Sequence, residues 1–168
     1  LRTDVLDLLF LHSSRDDVRI LRETDAVETL MSLREKGLVR GIGISGYTAE
    51  AFGISFDWAD AIMAAYHPDD KSMAPVMVEA ARRGVSVIIK KAFSSGRVPP
   101  RAAIPFALRN PAVACVVVGS LSLDHMRENL RIAESIRRVE LGSSRSARKT
   151  ILESKDFTDE SASGLSRS

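Results

Sequence analysis

A single cysteine, Cys115, stands in 168 residues, which excludes an internal disulfide framework and suits a reducing compartment. It lies inside the apolar run from Ala112 to Val118 and reads as a small, buried, inert core residue. No His, Cys or carboxylate cluster has the spacing of zinc ligands, so no metal is expected. No apolar stretch approaches the roughly 20 residues that cross a bilayer. No signal-peptide pattern opens the chain, and residue 1 falls close to a strand, leaving no room for a leader. The expectation is a cytoplasmic protein without a membrane partner. Charge of one sign is lacking too: 24 basic against 22 acidic residues give a net +2, spread along the chain. A nucleic-acid surface needs basic residues clustered on one face, so no nucleic-acid partner is expected. The 45% hydrophobic and 27% charged content is that of an ordinary soluble globular chain, long enough for one domain with a sizeable core.

What is present is an alternation. Asp7-Leu8-Leu9-Phe10-Leu11-His12-Ser13 reads as a buried parallel strand, about Leu6 to Leu11, that runs out at a histidine. The C-terminal edge of such a sheet is where α/β folds bind ligands, and a histidine can hold or pass a proton there. The plainer alternative is a capped core histidine under a loop. A helix starts near Asp25, with Glu28 placed for a capping box, and closes at Lys36-Gly37. Leu38 to Ser45 reads as a strand whose two glycines suggest close approach by another backbone or a ligand. A short helix follows near Thr48 to Ile54, then the apolar run Ala59 to Tyr66, stopped by His67-Pro68. His67 reads as a structural corner. Ser72 is placed to cap a helix ended by Gly84, and Val85 to Ile89 is a β-branched strand opening onto Lys90-Lys91. A helix from about Ala102 to Arg109, a fifth strand Val113 to Val118, and a last helix capped by Ser122 and running to about Arg138 complete the series.

Strands every 25 to 35 residues, each followed by a helix, are βα units of a parallel sheet. Doubly wound and barrel folds both satisfy this. The first strand is not followed by Gly-x-Gly-x-x-Gly, so the dinucleotide fingerprint of the doubly wound class is missing. A phosphate P-loop and a Gly-x-Ser-x-Gly elbow are also absent, against a hydrolase-like or P-loop protein. Five units fall short of the eight a closed barrel needs.

Five segments in register carry a resemblance. Leu1-Arg2-Thr3-Asp4-Val5-Leu6-Asp7-Leu8-Leu9-Phe10-Leu11-His12 resembles the fourth-strand signature of the aldo-keto reductases. Leu33 to Ser45 resembles their fourth helix and fifth strand, Tyr66-His67-Pro68 the end of strand six, and Asn110 to Ser120 strand eight. Asp124-His125-Met126-Arg127-Glu128-Asn129-Leu130 resembles the cofactor-binding helix. The resemblance runs from about Leu1 to Glu134 and implies an α/β fold, a partial (β/α)8 TIM barrel holding strands four to eight. Residues 1–141 are expected to form this part and 142–168, serine-rich and charged, a mostly disordered tail.

The resemblance implies an NAD(P)H-dependent oxidoreductase that reduces aldehydes or ketones to alcohols, with a small carbonyl substrate. His12 matches the catalytic histidine. The aspartate, tyrosine and lysine of the family's tetrad fall outside this stretch, and Tyr47 and Tyr66, the two tyrosines present, match neither catalytic position. The isolated chain is therefore expected to be inactive. For the cofactor, Gly119 and Ser120 after strand eight, with Ser122, His125, Glu128 and Asn129, match the adenosine half. By itself Ser122 reads first as a helix cap. His125 stands where many relatives carry an arginine for the 2′-phosphate, so NADP is expected and NAD stays open. Ser45-Gly46 replaces the family's Ser-Asn at the nicotinamide amide, Met63 its glutamine, and Lys90 its stacking aromatic. Lys90 and Lys91 can instead face the pyrophosphate and Phe93 cover the ring, against the alternative of a solvated basic pair. The other function class is a non-catalytic half-barrel, an assembly module whose sheet edges pair with itself or with a partner chain completing the barrel.

Overall fold

The computed structural model describes residues 3–136. Within them β1 (Leu6–His12), β2 (Val39–Ser45), β3 (Ala61–Ala65), β4 (Ser86–Lys90) and β5 (Val113–Val116) form one sheet. The order is β1-β2-β3-β4-β5, and every neighbouring pair is parallel. A doubly wound sheet reverses its order at a switch point, whereas a barrel advances strand by strand. The architecture is therefore the expected one, part of a (β/α)8 barrel with five parallel strands and alternating helices. The boundary near residue 141 and the segment 142–168 lie outside the described residues, as does the end of the last helix.

Between the strands run α1 (Asp17–Glu23), α2 (Ala26–Glu35), α3 (Ala49–Ser55), α4 (Ala74–Arg82) and α5 (Pro100–Leu108). A sixth helix, α6, begins at residue 123 and continues to 136, where the described range ends. Alternation along each strand sends every second side chain to the helices. Ile44, Ile62, Val87 and Ile89 meet Phe52, Met77, Ala80 and Ala107 in one core, and Val39 and Ile42 meet Leu30 in a second. The opposite face keeps apolar residues at the surface: Leu8 is 38% exposed and Val117 49%. That is the face a (β/α)8 barrel turns inward.

Glycine at 43 is required by this face. Gly43 pairs with both Phe10 on β1 and Ala61 on β3, and a Cβ there would run into the Ala61 carbonyl and the Phe10 ring. The close backbone approach read from the sequence is thus met by a neighbouring strand.

Several local expectations are corrected. Cys115 is exposed, not buried, because β5 is an edge strand and Cys115 lies opposite Ile88 on the half-covered inner face. Asp25 makes no capping hydrogen bond; the hydroxyl of Thr24 donates to the Ile20 carbonyl (2.7 Å) and accepts from the Ala26 N–H (3.3 Å). Ser72 does not cap α4, since its hydroxyl and N–H both go to the Asp70 carboxylate at 2.7 and 3.0 Å, and the helix starts at Ala74. Helix α1 was not anticipated: seven residues rich in charge are too short for a periodic signal.

α1 is held by a buried carboxylate. Asp17 is fully inaccessible, and its Oδ2 accepts from the N–H groups of Tyr47 and Thr48, both at 2.8 Å. Its Oδ1 accepts from the Thr48 hydroxyl at 2.9 Å and the Val18 N–H at 3.0 Å. Burial alone pushes the carboxyl upward, but these donors outweigh it and hold Asp17 below the ordinary carboxylate range.

Two predictions follow from this packing. Gly43→Ala is expected to cost about 2–3 kcal/mol through overpacking. Gly53→Ala, within α3 and with nothing near its Cβ, should instead gain up to about 1 kcal/mol. Urea unfolding of both variants checks the contrast. For Asp17 the folded value is lowered, so its stabilisation is present above about pH 4 and is lost as pH falls through that lowered value. Asp17→Asn should cost about 3 kcal/mol at neutral pH. The gap between the two proteins should narrow in acid, measured by urea unfolding across the range.

Candidate active site and cofactor cavity

The strand ends on the inner face gather one group of the candidate residues. His12 closes β1 and pairs in register with Ser45, which closes β2. Partners in register project to the same face of a sheet. Ser45 is buried, whereas His12 is exposed at the rim. Lys90 closes β4, and its ammonium donates to the Ser45 hydroxyl at 3.0 Å and to the Gly46 carbonyl at 2.8 Å. The same ammonium sits 4.6 Å from the centre of the Tyr47 ring, and that of Lys91 sits 5.4 Å from it. Burial, and then the charge of Lys91, push the Lys90 amine below the ordinary lysine range, with Asp17 opposing in part. Gly46 is enclosed: a Cβ there would meet the Phe52 ring at 3.0 Å and the Asp17 carboxylate at 3.4 Å.

The second group lies between the loop after β4 and the start of α6. Phe93, Gly119, Ser120, His125, Glu128 and Asn129 line one cavity of about 330 Å³, closed on another side by Pro99 and Pro100. Ser120 shapes its floor: the hydroxyl accepts from the Ser122 N–H at 3.0 Å and donates to the Ser122 carbonyl at 3.2 Å. Ser122 itself does not line the cavity; its hydroxyl accepts from the His125 N–H at 3.4 Å, as a helix cap does. Asn129 is buried in the wall, and the Glu128 carboxylate takes both Nε and a terminal nitrogen of Arg101, at 3.1 and 2.9 Å. The loop that carries Phe93 is held in unusual backbone. Lys91, Ser94 and Ser95 have φ of 56°, 47° and 58°, values that non-glycine residues seldom adopt. Arg97 pins this loop with two donors on the Ser94 hydroxyl at 3.3 and 3.1 Å.

The candidate residues therefore divide. Six line the cavity, and His12, Ser45, Gly46 and Lys90 form the rim group with Lys91 beside it. Met63 faces Ile88 across β3 and β4, on the half-covered face.

Three participants escaped the sequence reading. Asp17 fixes the turn that carries Gly46 and Tyr47; its only trace was an acidic pair, Asp16-Asp17, just past the first strand. Tyr47 underlies both lysines and was weighed only as a proton donor. Arg101 orders Glu128 from a helix far along the chain, a pairing that no local pattern announces. Tyr66 is packed away from the rim, stacked on Phe106 at 4.8 Å with its hydroxyl accepting from Asn110 at 3.3 Å. His67 forms the predicted corner, its backbone bridging to Asp70, with Nδ1 buried and unpartnered among the described residues. Among those residues no three His, Cys, Asp or Glu side chains stand together, and no helix is long and apolar enough to cross a membrane.

No protein-family model matches the chain, and no curated protein does. Solved structures do match. A protein from Pseudomonas aeruginosa assigned as an aldo-keto reductase is 31% identical, with a TM-score of 0.74 over 78% of this chain and 52% of that one. The aldo-keto reductase of Bacillus halodurans in its holo form is 22% identical, with a TM-score of 0.68 over 79% of this chain and 55% of that one. An aldo/keto reductase from Klebsiella pneumoniae, solved with NADP and acetate, is 18% identical, with a TM-score of 0.62 over 79% of this chain and 54% of that one. The last two bear on the fold alone. The chain spans about half the length of each of these structures. In strand order and fold, and at 31% identity to the Pseudomonas aeruginosa structure, the chain is similar to part of an aldo-keto reductase barrel.

Proposed function

We propose that this chain carries the cofactor-binding half and the carbonyl-orienting histidine of an NAD(P)H-dependent reductase of aldehydes or ketones. The observation behind the reading is the single cavity lined by Phe93, Gly119, Ser120, His125, Glu128 and Asn129, six of the residues that the family resemblance assigns to the cofactor. The fit to an adenosine phosphate is chemical. Small residues at 119 and 120 open onto the first turn of α6, where helix N–H groups favour an anion. A buried amide at Asn129 and a carboxylate at Glu128 offer acceptors to the adenine amino group, and His125 stands at the rim for a 2′-phosphate. NADP is the expected cofactor, with NAD the alternative.

When bound, a reduced nicotinamide supplies hydride to the carbonyl carbon. His12 donates a hydrogen bond to the carbonyl oxygen, where negative charge develops. Ser45 and Gly46 hold the rim beside it, and both accept a hydrogen bond from Lys90. Neither tyrosine matches the family's proton donor: Tyr66 is buried against Phe106, and the Tyr47 ring carries the ammonium groups of Lys90 and Lys91. The chain by itself should bind cofactor without turning over substrate. The partner reading is favoured by the edges: Leu8 on β1 and Ala114 and Cys115 on β5 remain exposed, so a second copy or another chain completing the barrel would gain strand pairing and apolar burial.

A thermal-shift titration tests the cofactor site. Binding at a hundredfold excess over Kd stabilises a fold by about 2.7 kcal/mol, which should raise Tm by several degrees with NADPH. Ser120→Asp sets a carboxylate where the phosphate is expected and should abolish that rise. No shift at millimolar NADPH or NADH would remove the cofactor reading.

A further inference from the structure

We propose that the Lys90 amine is a nucleophile that condenses with small aldehydes carrying an anionic group, forming an imine at the strand-end rim. The inference rests on the chain's own rim geometry and needs no nicotinamide. Lys90 is held in place by two acceptors, the Ser45 hydroxyl at 3.0 Å and the Gly46 carbonyl at 2.8 Å. A neutral amine has two N–H bonds and one lone pair. Both acceptors can keep their hydrogen bonds after the third proton leaves, so the free amine stays anchored while its lone pair becomes available. Ser45 is buried, and Lys90 is half-buried at the end of its strand. The amine is thereby partly stripped of water yet open to a small molecule.

Burial and the charge of Lys91 push in the same direction. Lys91 shares the Tyr47 ring with Lys90, and burial together with this second cation favours the uncharged amine. Asp17 opposes, but its carboxylate is spent on four donors of α1 and the β2–α3 turn. Lys91 is exposed and left-handed at φ 56°, which sets a second ammonium beside the first. A carboxylate on the incoming aldehyde can pair with it. The step balances simply. The Lys90 ammonium loses a proton to solvent, the amine nitrogen bonds to the carbonyl carbon, and the resulting carbinolamine sheds one water to leave a C=N bond.

Reductive trapping tests it on the chain as it stands. With glyoxylate as the probe and cyanoborohydride as the hydride donor, peptide mass spectrometry should find Lys90 alkylated about tenfold faster than the exposed Lys36 and Lys71 at neutral pH. Propanal, which lacks the anion, should show a weaker preference for Lys90. Lys91→Asn, tolerated in left-handed backbone, should slow trapping at Lys90 and erase the preference for glyoxylate over propanal. Lys90→Arg, checked for its unfolding transition, should leave only the slow background. Equal rates at Lys90, Lys36 and Lys71 would overturn the proposal, as would a Lys91→Asn variant that traps glyoxylate unchanged. Neither result bears on NADPH binding, which the thermal shift reads separately.

Discussion

The rim of this sheet depends on one buried carboxylate. Asp17 arrives on a short helix directly after β1 and accepts hydrogen bonds from the turn after β2, so two neighbouring βα units are tied at the end where ligands approach. A buried charge without partners would cost several kcal/mol; four donors make it a fixed point instead. The turn it holds carries Gly46 and Tyr47. The Gly46 carbonyl and the Tyr47 ring in turn receive Lys90 from β4, two strands away. One acidic side chain therefore sets the position of a cation to which it makes no hydrogen bond.

The barrel character was legible because it is repetitive. Strand after strand shows a short apolar run followed by a helix, and one missed helix does not disturb that rhythm. His12 was legible for a related reason: a polar residue that ends an apolar run must lie where the strand leaves the core. Capping was less legible. Ser72 and Asp25 have the right identities for N-caps, but Asp70 takes the Ser72 hydroxyl and Thr24 bonds the first turn of α2 in place of Asp25, and such local bonds between neighbours leave no mark in a one-residue rule. Cys115 failed through the same kind of blindness. An apolar run says that a strand wants burial, not whether another strand lies beside it.

Asp17 and Arg101 show where sequence reading stops. Each acts across a long stretch of chain, 30 residues from Asp17 to Tyr47 and 27 from Arg101 to Glu128, and each is a charged residue of the sort that usually faces water. Only the fold distinguishes a solvated carboxylate from one that four donors surround.

The two site groups also differ in how much fold they require. The cavity is built from residues 93 to 129, a continuous stretch comprising the loop after β4, α5, β5 and the start of α6. It needs two strands and two helices in register, and nothing from β1. The rim group draws on His12, Ser45 and Lys90, which come from three strands and lie between residues 12 and 90. The two groups therefore depend on the sheet unequally. A cavity made of neighbours in sequence keeps its shape as long as β4 and β5 stay paired, while the rim needs β1, β2 and β4 in register. The cavity is thus a local property of one stretch of chain, and the rim a property of the sheet as a whole.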